Sequence, residues 1–328
     1  MSKKITSVAV LTSGGDSPGM NAAIRAVVRA SSFYNVKAFG IYRGYQGLIE
    51  NDFVELGARS VRNIINRGGT FLKSARSKQF RSFEYRQKAY DNLKSRNIDA
   101  LVVIGGDGSF TGAEIFSNEF DIPVIGIPGT IDNDINGTDY TLGYDTALNT
   151  VVEAIDKIRD TANSHDRLFL VEVMGRDAGD IALNSGIAGG AEEILIPEEN
   201  LGVDRLVHSL HSSRKKGKTS SIVVVAEGDQ IGKNITQLAA DLTRDLPEYE
   251  VKVTVLGHIQ RGGSPSCFDR VLASRLGVGA IDALLEGKSN IMVGIQHKKI
   301  VQVPFETAVN VKKTIDMDLI RVADIVST

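Results

Sequence analysis

The sequence predicts an α/β protein of about two domains, with mainly parallel sheets flanked by helices. Three observations carry this expectation. Short β-rich runs alternate along the chain with glycine-rich turns and helical stretches, the pattern of strand–helix units that build parallel sheets. Several runs, such as 101–104 and 222–226, are unbroken apolar segments rather than alternating ones, which is how strands covered on both faces read. The chain has 328 residues, which at about 150 residues per domain allows two domains with sizeable cores.

Each element follows in order. Residues 7–11 read as a strand, 12–19 as a glycine turn and 20–31 as a helix. A helix fits 82–96, and a strand at 100–104 leads into Gly105-Gly106-Asp107-Gly108-Ser109 and a short helix towards 116. The strand 124–127 runs into Pro128-Gly129-Thr130-Ile131-Asp132-Asn133-Asp134, ahead of a long helix over 143–161. Strand 168–173 feeds Met174-Gly175-Arg176-Asp177-Ala178-Gly179-Asp180; a helix fits 203–215. Strand 222–225 feeds Ala226-Glu227-Gly228, and strand 251–256 feeds the loop 257–265 before a helix over 267–285. In such folds ligands bind at the carboxyl ends of the strands, where all these loops lie. Asn136-Gly137 is the best candidate for a domain break, since no linker or repeat marks one.

Composition narrows the function. Hydrophobic residues are 42% and charged residues 24%, ordinary for a globular chain and unlike a disordered one. Lys and Arg total 38 against 40 Asp and Glu, a net charge of -2; a nucleic-acid or anionic-membrane binder needs a basic excess, so neither partner is expected. Cys267 is the single cysteine, which excludes an intrachain disulfide and a cysteine-based zinc site; packing is its simplest role. No apolar run approaches the roughly 18 residues of a membrane helix, and the run 8–11 is too short for a signal peptide, so a cytoplasmic location is expected. Glycine, at 33 residues, is in excess, and its placement is the main clue.

The loops have chemistry in common. A glycine turn between strand and helix, as at 14–19, lets the backbone approach a phosphate, and the helix N-terminus favours the anion. It lacks the G-x-G-x-x-G spacing, so a dehydrogenase loses its main support. In 105–109 one carboxylate, Asp107, stands among glycines that admit phosphate oxygens, and an Asp there can hold Mg²⁺. Asp132 and Asp134 place two acids at another strand end, where phosphoryl transfer to a hydroxyl needs a base and a metal-orienting acid. Arg167, Arg176, His258 and Arg261 supply cations on later strands, and Arg gives the forked donors suited to phosphate. Gly217-Lys218-Thr219 imitates a P-loop ending, but Ser212 stands where glycine is required and the run precedes a strand, so it is no Walker motif. His165, His208, His211 and His297 receive no role. From residues alone the chain reads as a Mg²⁺-dependent phosphoryl transferase with a nucleotide side and a basic, phosphorylated-substrate side.

Taken together these motifs resemble the bacterial ATP-dependent 6-phosphofructokinases. The resemblance rests on residues 12–21, Asn66-Arg67-Gly68-Gly69-Thr70, 105–109, 128–134, Val173-Met174-Gly175-Arg176 and 257–265, in the family's order across nearly the whole chain. It implies two doubly wound, three-layer α/β domains with the active site in the cleft between them: 1–143 plus about 260–310 for ATP, and 144–259 plus about 311–328 for fructose 6-phosphate. It implies glycolytic transfer from MgATP to the 1-hydroxyl of D-fructose 6-phosphate, giving fructose 1,6-bisphosphate and ADP. By motif position Asp132 is the general base, Asp107 and Asp134 are the Mg²⁺ acids, and Gly15, Arg76, Ser77, Gly106, Asp107, Gly108 and Ser109 are the ATP contacts. Thr130, Arg76 and Arg176 are placed to stabilise the transferring group. Met174, Gly175 and Glu227 are sugar contacts, and His258 and Arg261 hold the 6-phosphate, joined across a subunit interface by Arg167; Ile131, Lys252, Ile259 and Gln260 belong to the same substrate-binding set. That shared site implies a homo-oligomer, in the family a tetramer.

Departures are also legible. Lys252 stands where the family usually has a second interface Arg, which keeps the charge but loses the forked geometry. The effector pocket for ADP or phosphoenolpyruvate matches at Arg25, Arg29, Arg159, Gly190, Glu192, Lys216 and Lys218, whereas Ala58 and Asn63 replace a common Arg and Asp; Arg59 and Arg62 stand nearby. A pyrophosphate-dependent relative carries Asp and Lys where this chain has Gly108 and Gly129, so ATP is the expected donor. The basic loop 257–265 and the paired acids weigh against an NAD or lipid kinase. The retained base and metal acids weigh against a non-catalytic nucleotide sensor.

Overall fold

A computed structural model describes residues 4–162, 164, 167–199, 202–217 and 220–327; His165, Lys218 and Thr219 lie outside them. The strands, in chain order, are β1 (Ser7–Thr12), β2 (Lys37–Ile41), β3 (Phe53–Leu56), β4 (Ala100–Gly105), β5 (Val124–Pro128), β6 (Arg167–Val173), β7 (Glu193–Leu195), β8 (Ser221–Ala226), β9 (Glu250–Val255), β10 (Ile291–Gln296) and β11 (Lys299–Pro304). The helices are α1 (Met20–Phe33), α2 (Gly44–Glu50), α3 (Phe83–Ser95), α4 (Asp107–Phe120), α5 (Tyr144–Ala162), α6 (Asp180–Gly189), α7 (Val203–Lys215), α8 (Ile235–Asp245), α9 (Cys267–Leu285), α10 (Phe305–Asn310) and α11 (Met317–Val326).

The chain divides into two units. The first comprises Met1–Ile131, Ile135–Thr146 and Arg261–Lys313; the second comprises Asp132–Asp134, Ala147–Gln260 and Thr314–Thr328. The first unit holds a seven-stranded sheet in the order β11-β10-β5-β4-β1-β2-β3. Its inner strands are parallel, while β3 and β11 pair antiparallel at the edges. The second unit holds a four-stranded parallel sheet, β7-β8-β6-β9.

Side chains of a strand alternate between its faces, and in the first unit both faces are covered. Val8 and Val10 join a core with Ile24, Val27 and Val28 of α1 and Leu272 and Leu276 of α9. Ala9 and Leu11 join the opposite core with Leu48 of α2, Leu93 of α3, Phe110 and Phe116 of α4 and Phe305 of α10. That double coverage is why these strands read as unbroken apolar runs, and each fully buried Val, Leu or Phe contributes about 1.5–3 kcal/mol. In the second unit Leu168, Leu170, Val223 and Val225 pack with Leu206 and Leu210 of α7 and Leu238 and Leu242 of α8, while α6 covers β8 from the other face.

Several elements were not legible in the sequence. The β10–β11 hairpin turns through His297 and Lys298, both at positive φ (48° and 65°), without the Asn-Gly or Asp-Gly pair that announces such turns. α6 is rich in glycine and owes its helix to packing rather than propensity. The helix read towards 116 continues to Phe120.

One buried carboxylate ties the segments of the first unit. Asp269, in the first turn of α9 and fully buried, accepts the Gly143 and Thr146 N–H groups at 2.8 and 2.9 Å and the Thr146 hydroxyl at 2.5 Å. It thereby caps the start of α5. Burial pushes the Asp269 carboxyl up to about 6, against the pull of these donors, with Asp145 adding to the rise. A folded-state pKa above the unfolded value means that the folded protein takes up a proton, so this group's contribution to stability grows as pH falls from 7 towards 5. In Asp269→Asn the NH2 group, whichever oxygen it replaces, faces a backbone N–H of Gly143 or Thr146, and a loss of about 1–3 kcal/mol is expected. The deficit relative to the parent should widen between pH 7 and pH 5 in denaturant melts; a deficit independent of pH would refute the assignment.

Candidate active site

The glycine loops of the first unit follow strands β1 and β4 and lead into helices α1 and α4. Gly105 has no alternative: a Cβ there would lie 2.5 Å from the Ser109 Oγ and 2.6 Å from the Ser13 carbonyl oxygen. Gly106 is the N-cap of α4, Asp107 and Gly108 form its exposed first turn, and Ser109 is buried. The Tyr45 hydroxyl donates to the Ser109 carbonyl at 2.6 Å and anchors that turn. Its N–H groups and the positive end of the helix suit a phosphate. A Cβ at 108 would meet nothing within 4 Å, so the turn is open on that side.

After β1 the chain enters Gly14 at φ 84°, whose carbonyl accepts the Ser74 hydroxyl at 2.9 Å. The Arg261 guanidinium lies against Gly15, 2.5 Å from where a Cβ would stand, and donates to the Asp16 carbonyl at 3.3 Å. The stretch 66–70 is a buttress. Asn21 of α1 donates to the Arg67 and Gly68 carbonyls, both at 3.1 Å, and accepts the Phe71 N–H at 2.7 Å. Arg76 is exposed, and the Ser77 hydroxyl donates to Gln46 at 2.8 Å. Thr130 and Ile131, beyond β5, are buried.

In the second unit the Asp132 carboxylate is only 1% exposed, with Oδ2 3.4 Å from the Arg176 Nε. Asn133, at φ 53°, donates to Asp180 at 3.3 Å; Asp134 is partly exposed. Arg176 sits in a tight turn: φ is 142° at Gly175 and 52° at Arg176. Glu227 holds this turn, accepting the Gly175 and Arg176 N–H groups at 3.3 and 2.9 Å. Gln260, fully buried, accepts the Met174 N–H at 3.2 Å and donates to the Gly257 carbonyl at 3.0 Å. His258 and Ile259 are exposed on the 3₁₀ segment Gly257–Arg261.

Glu250 is a residue that sequence reasoning missed. Arg167 faces it across the β6–β9 register and donates to it at 2.7 Å, while Lys252 lies 2.6 Å from its other oxygen. Lys252 first, and then Arg167, hold the Glu250 carboxyl down at about 2. Its signal was an acid two residues before Lys252 on a strand, which is unremarkable without the partner strand. Tyr45 likewise carried no local signal.

The effector set appears in both units. Arg25 and Arg29 line a cavity of about 450 Å³ with Arg62, Asn63 and Arg67. Burial, and then Arg29, push the Arg25 guanidinium pKa down. Arg62, and not Arg59, joins this lining. In the second unit Arg159 donates to the Gly189 and Gly190 carbonyls at 2.7 and 2.6 Å and lies 3.7 Å from Glu192. Glu192 accepts the Ile222 N–H at 2.7 Å. Lys216 ends α7 on an exposed turn, and Lys218 lies outside the described residues.

Parallel sheets whose carboxyl ends carry glycine turns feeding helix N-termini define the class: a phosphate-binding α/β protein. The family model described as Phosphofructokinase matches residues 7–284. The chain belongs to that family. It is 56% identical over 315 residues to the ATP-dependent 6-phosphofructokinase 2 of Bacteroides thetaiotaomicron, covering 96% of each chain. It is 53% identical to the ATP-dependent 6-phosphofructokinase of Cytophaga hutchinsonii, over 97% of this chain and 96% of that one. Among solved structures, phosphofructokinase from Saccharomyces cerevisiae superposes with a TM-score of 0.87 at 40% identity; the match covers 94% of this chain and 45% of that one. A pyrophosphate-dependent phosphofructokinase from Marinobacter aquaeolei, 22% identical with a TM-score of 0.84 over 96% of this chain and 86% of that one, shares the fold. Among the described residues no helix is long and apolar enough to cross a membrane.

Proposed function

We propose that the chain transfers the γ-phosphoryl group of ATP to the 1-hydroxyl of fructose 6-phosphate, giving fructose 1,6-bisphosphate and ADP in glycolysis. The relatives named for that ATP-dependent activity support it, and one observation carries the mechanism: a buried carboxylate, Asp132, set against the Arg176 guanidinium. Asp132 takes the proton of the 1-hydroxyl as that oxygen bonds to phosphorus and the bond to the ADP oxygen breaks. Thr130, Arg76 and Arg176 face the charge that develops on the phosphoryl oxygens. Gly15, Arg76, Ser77 and Gly106, Asp107, Gly108 and Ser109 hold ATP.

Asp107 and Asp134 are the carboxylates for Mg²⁺. The exposed Asp107 carboxylate in the first turn of α4, beside the open side at Gly108, fits an ion that takes one or two carboxylates and completes its shell with phosphates and water. When bound, Mg²⁺ neutralises charge on the phosphate oxygens. Met174, Gly175 and Glu227 contact the sugar, and Ile131 belongs to the same substrate-binding set. His258 and Arg261 take the 6-phosphate, with Arg167 and Lys252 supplied by a neighbouring copy in a homotetramer; Ile259 and Gln260 complete the substrate-binding turn. A cytoplasmic location fits this role. Arg25, Arg29, Arg159, Gly190, Glu192, Lys216 and Lys218 form the site for ADP or phosphoenolpyruvate.

A coupled assay with fructose 6-phosphate should give turnover with MgATP at least ~100-fold above that with pyrophosphate. Such a ratio corresponds to about 2.7 kcal/mol in the barrier. Comparable rates with both donors would overturn the reading. ADP and phosphoenolpyruvate titrated into the same assay should shift the fructose 6-phosphate saturation curve, with weakened coupling because Ala58 and Asn63 replace a common Arg and Asp; no shift with either ligand would refute the effector site.

A further inference from the structure

Thr141 lies outside every role assigned above, yet it reaches the loop that carries the chemistry. It is fully buried, and its hydroxyl donates to the Thr130 carbonyl at 2.6 Å across eleven residues of chain. Its neighbours continue the same contact. The Leu142 N–H donates to the Pro128 carbonyl at 2.9 Å, and Gly129 and Leu142 form a parallel bridge. On the sheet side, the Gly129 N–H donates to the Gly105 carbonyl at 3.0 Å. Beyond 142 the chain is pinned in turn, because Asp269 of α9 holds Gly143 and Thr146. The strand end 128–130 is therefore clamped between β4 and the segment 141–146. Within that clamp, the Thr141 side chain bonds the Thr130 carbonyl, two residues before Asp132 in the chain.

We propose that Thr141 is a positioning residue for phosphoryl transfer: its hydroxyl fixes the Thr130 peptide and with it the direction in which the chain leaves towards Asp132. This rests on the reading of Thr130 and Asp132 as transfer-site residues. The physical basis is twofold. A carbonyl buried without its donor seeks another partner, so the peptide moves rather than stays in place. A reacting group displaced by about 1 Å loses on the order of 10²-fold in rate, while ground-state binding, spread over residues of several other loops, changes little.

The test is steady-state kinetics on Thr141→Val, which keeps the shape and removes the hydroxyl, beside Thr141→Ser, which keeps the hydroxyl and removes the methyl. Thr141→Val should lose about 10–100-fold in kcat, with both KM values within about threefold of the parent. Thr141→Ser should stay within about threefold of the parent in kcat. Should the valine variant fail to fold, Thr141→Cys, with a weak donor of similar size, is read in its place by the same limits. A kcat for Thr141→Val within twofold of the parent overturns the proposal. So does a serine variant as slow as the valine one, because the methyl rather than the hydroxyl would then matter. Asp132→Asn measured in parallel separates the two readings: a parental kcat there removes the role given to the loop. An inactive Asp132→Asn beside a fully active Thr141→Val removes only the role given to Thr141.

Discussion

Asp132→Ser is expected to lower kcat by about 10²–10⁴-fold, the usual loss when a general base is removed, with binding of fructose 6-phosphate close to parental. The carboxylate is 1% exposed and its partner Arg176 is 53% exposed. The acid is therefore shielded from bulk water, while the guanidinium remains solvated after the acid is gone. Serine fits the space and adds no charge, so the fold has little reason to change. In the proposed site, sugar binding is assigned to other groups, the basic residues for the 6-phosphate and the turn at Gly175, which the substitution does not touch. The experiment pairs kcat from the ATP-coupled assay with the dissociation constant of fructose 6-phosphate from calorimetry. A kcat within tenfold of the parent would remove Asp132 as the base.

Gly228→Ala is expected to lower kcat on the order of 10²-fold without touching a reacting atom. A Cβ at 228 would stand 1.9 Å from the Arg176 carbonyl oxygen and 2.9 Å from its carbonyl carbon. Those are backbone atoms, so relief requires the 175–177 turn to move. That turn already holds Gly175 and Arg176 at positive φ and depends on Glu227 for its two N–H bonds. The guanidinium facing Asp132 moves with it, and a displacement near 1 Å accounts for the rate. A lower melting temperature should accompany the loss. A parental kcat in a protein shown to contain the alanine would mean that the position of Arg176 does not govern the rate.

Much of this architecture was legible because it is encoded locally. The runs at 100–104 and 222–225 read as strands because both faces are covered, and the glycines of 105–109 advertised a strand-to-helix turn. The acids Asp107, Asp132 and Asp134 stood at strand ends, where ligands bind in parallel sheets. Edge and capping elements were less legible: β11 is antiparallel, its turn uses His297 and Lys298 instead of glycine, and nothing within a few residues announces it.

The sequence by itself determined the alternation of strands and helices, the acids and glycines at the strand ends, and the family in whose order those motifs occur. Tertiary structure alone decided which side chains hold them. Glu227 supports the Arg176 turn from 51 residues away, and Arg167 meets Glu250 from 83 residues away. Tyr45 reaches the first turn of α4 across 64 residues. Periodicity and turn chemistry are set by neighbours a few residues apart, and so can be read along the chain. Such long-range bonds exist only once parallel strands stand in register, and their partners carry no mark in the sequence of the residue they meet.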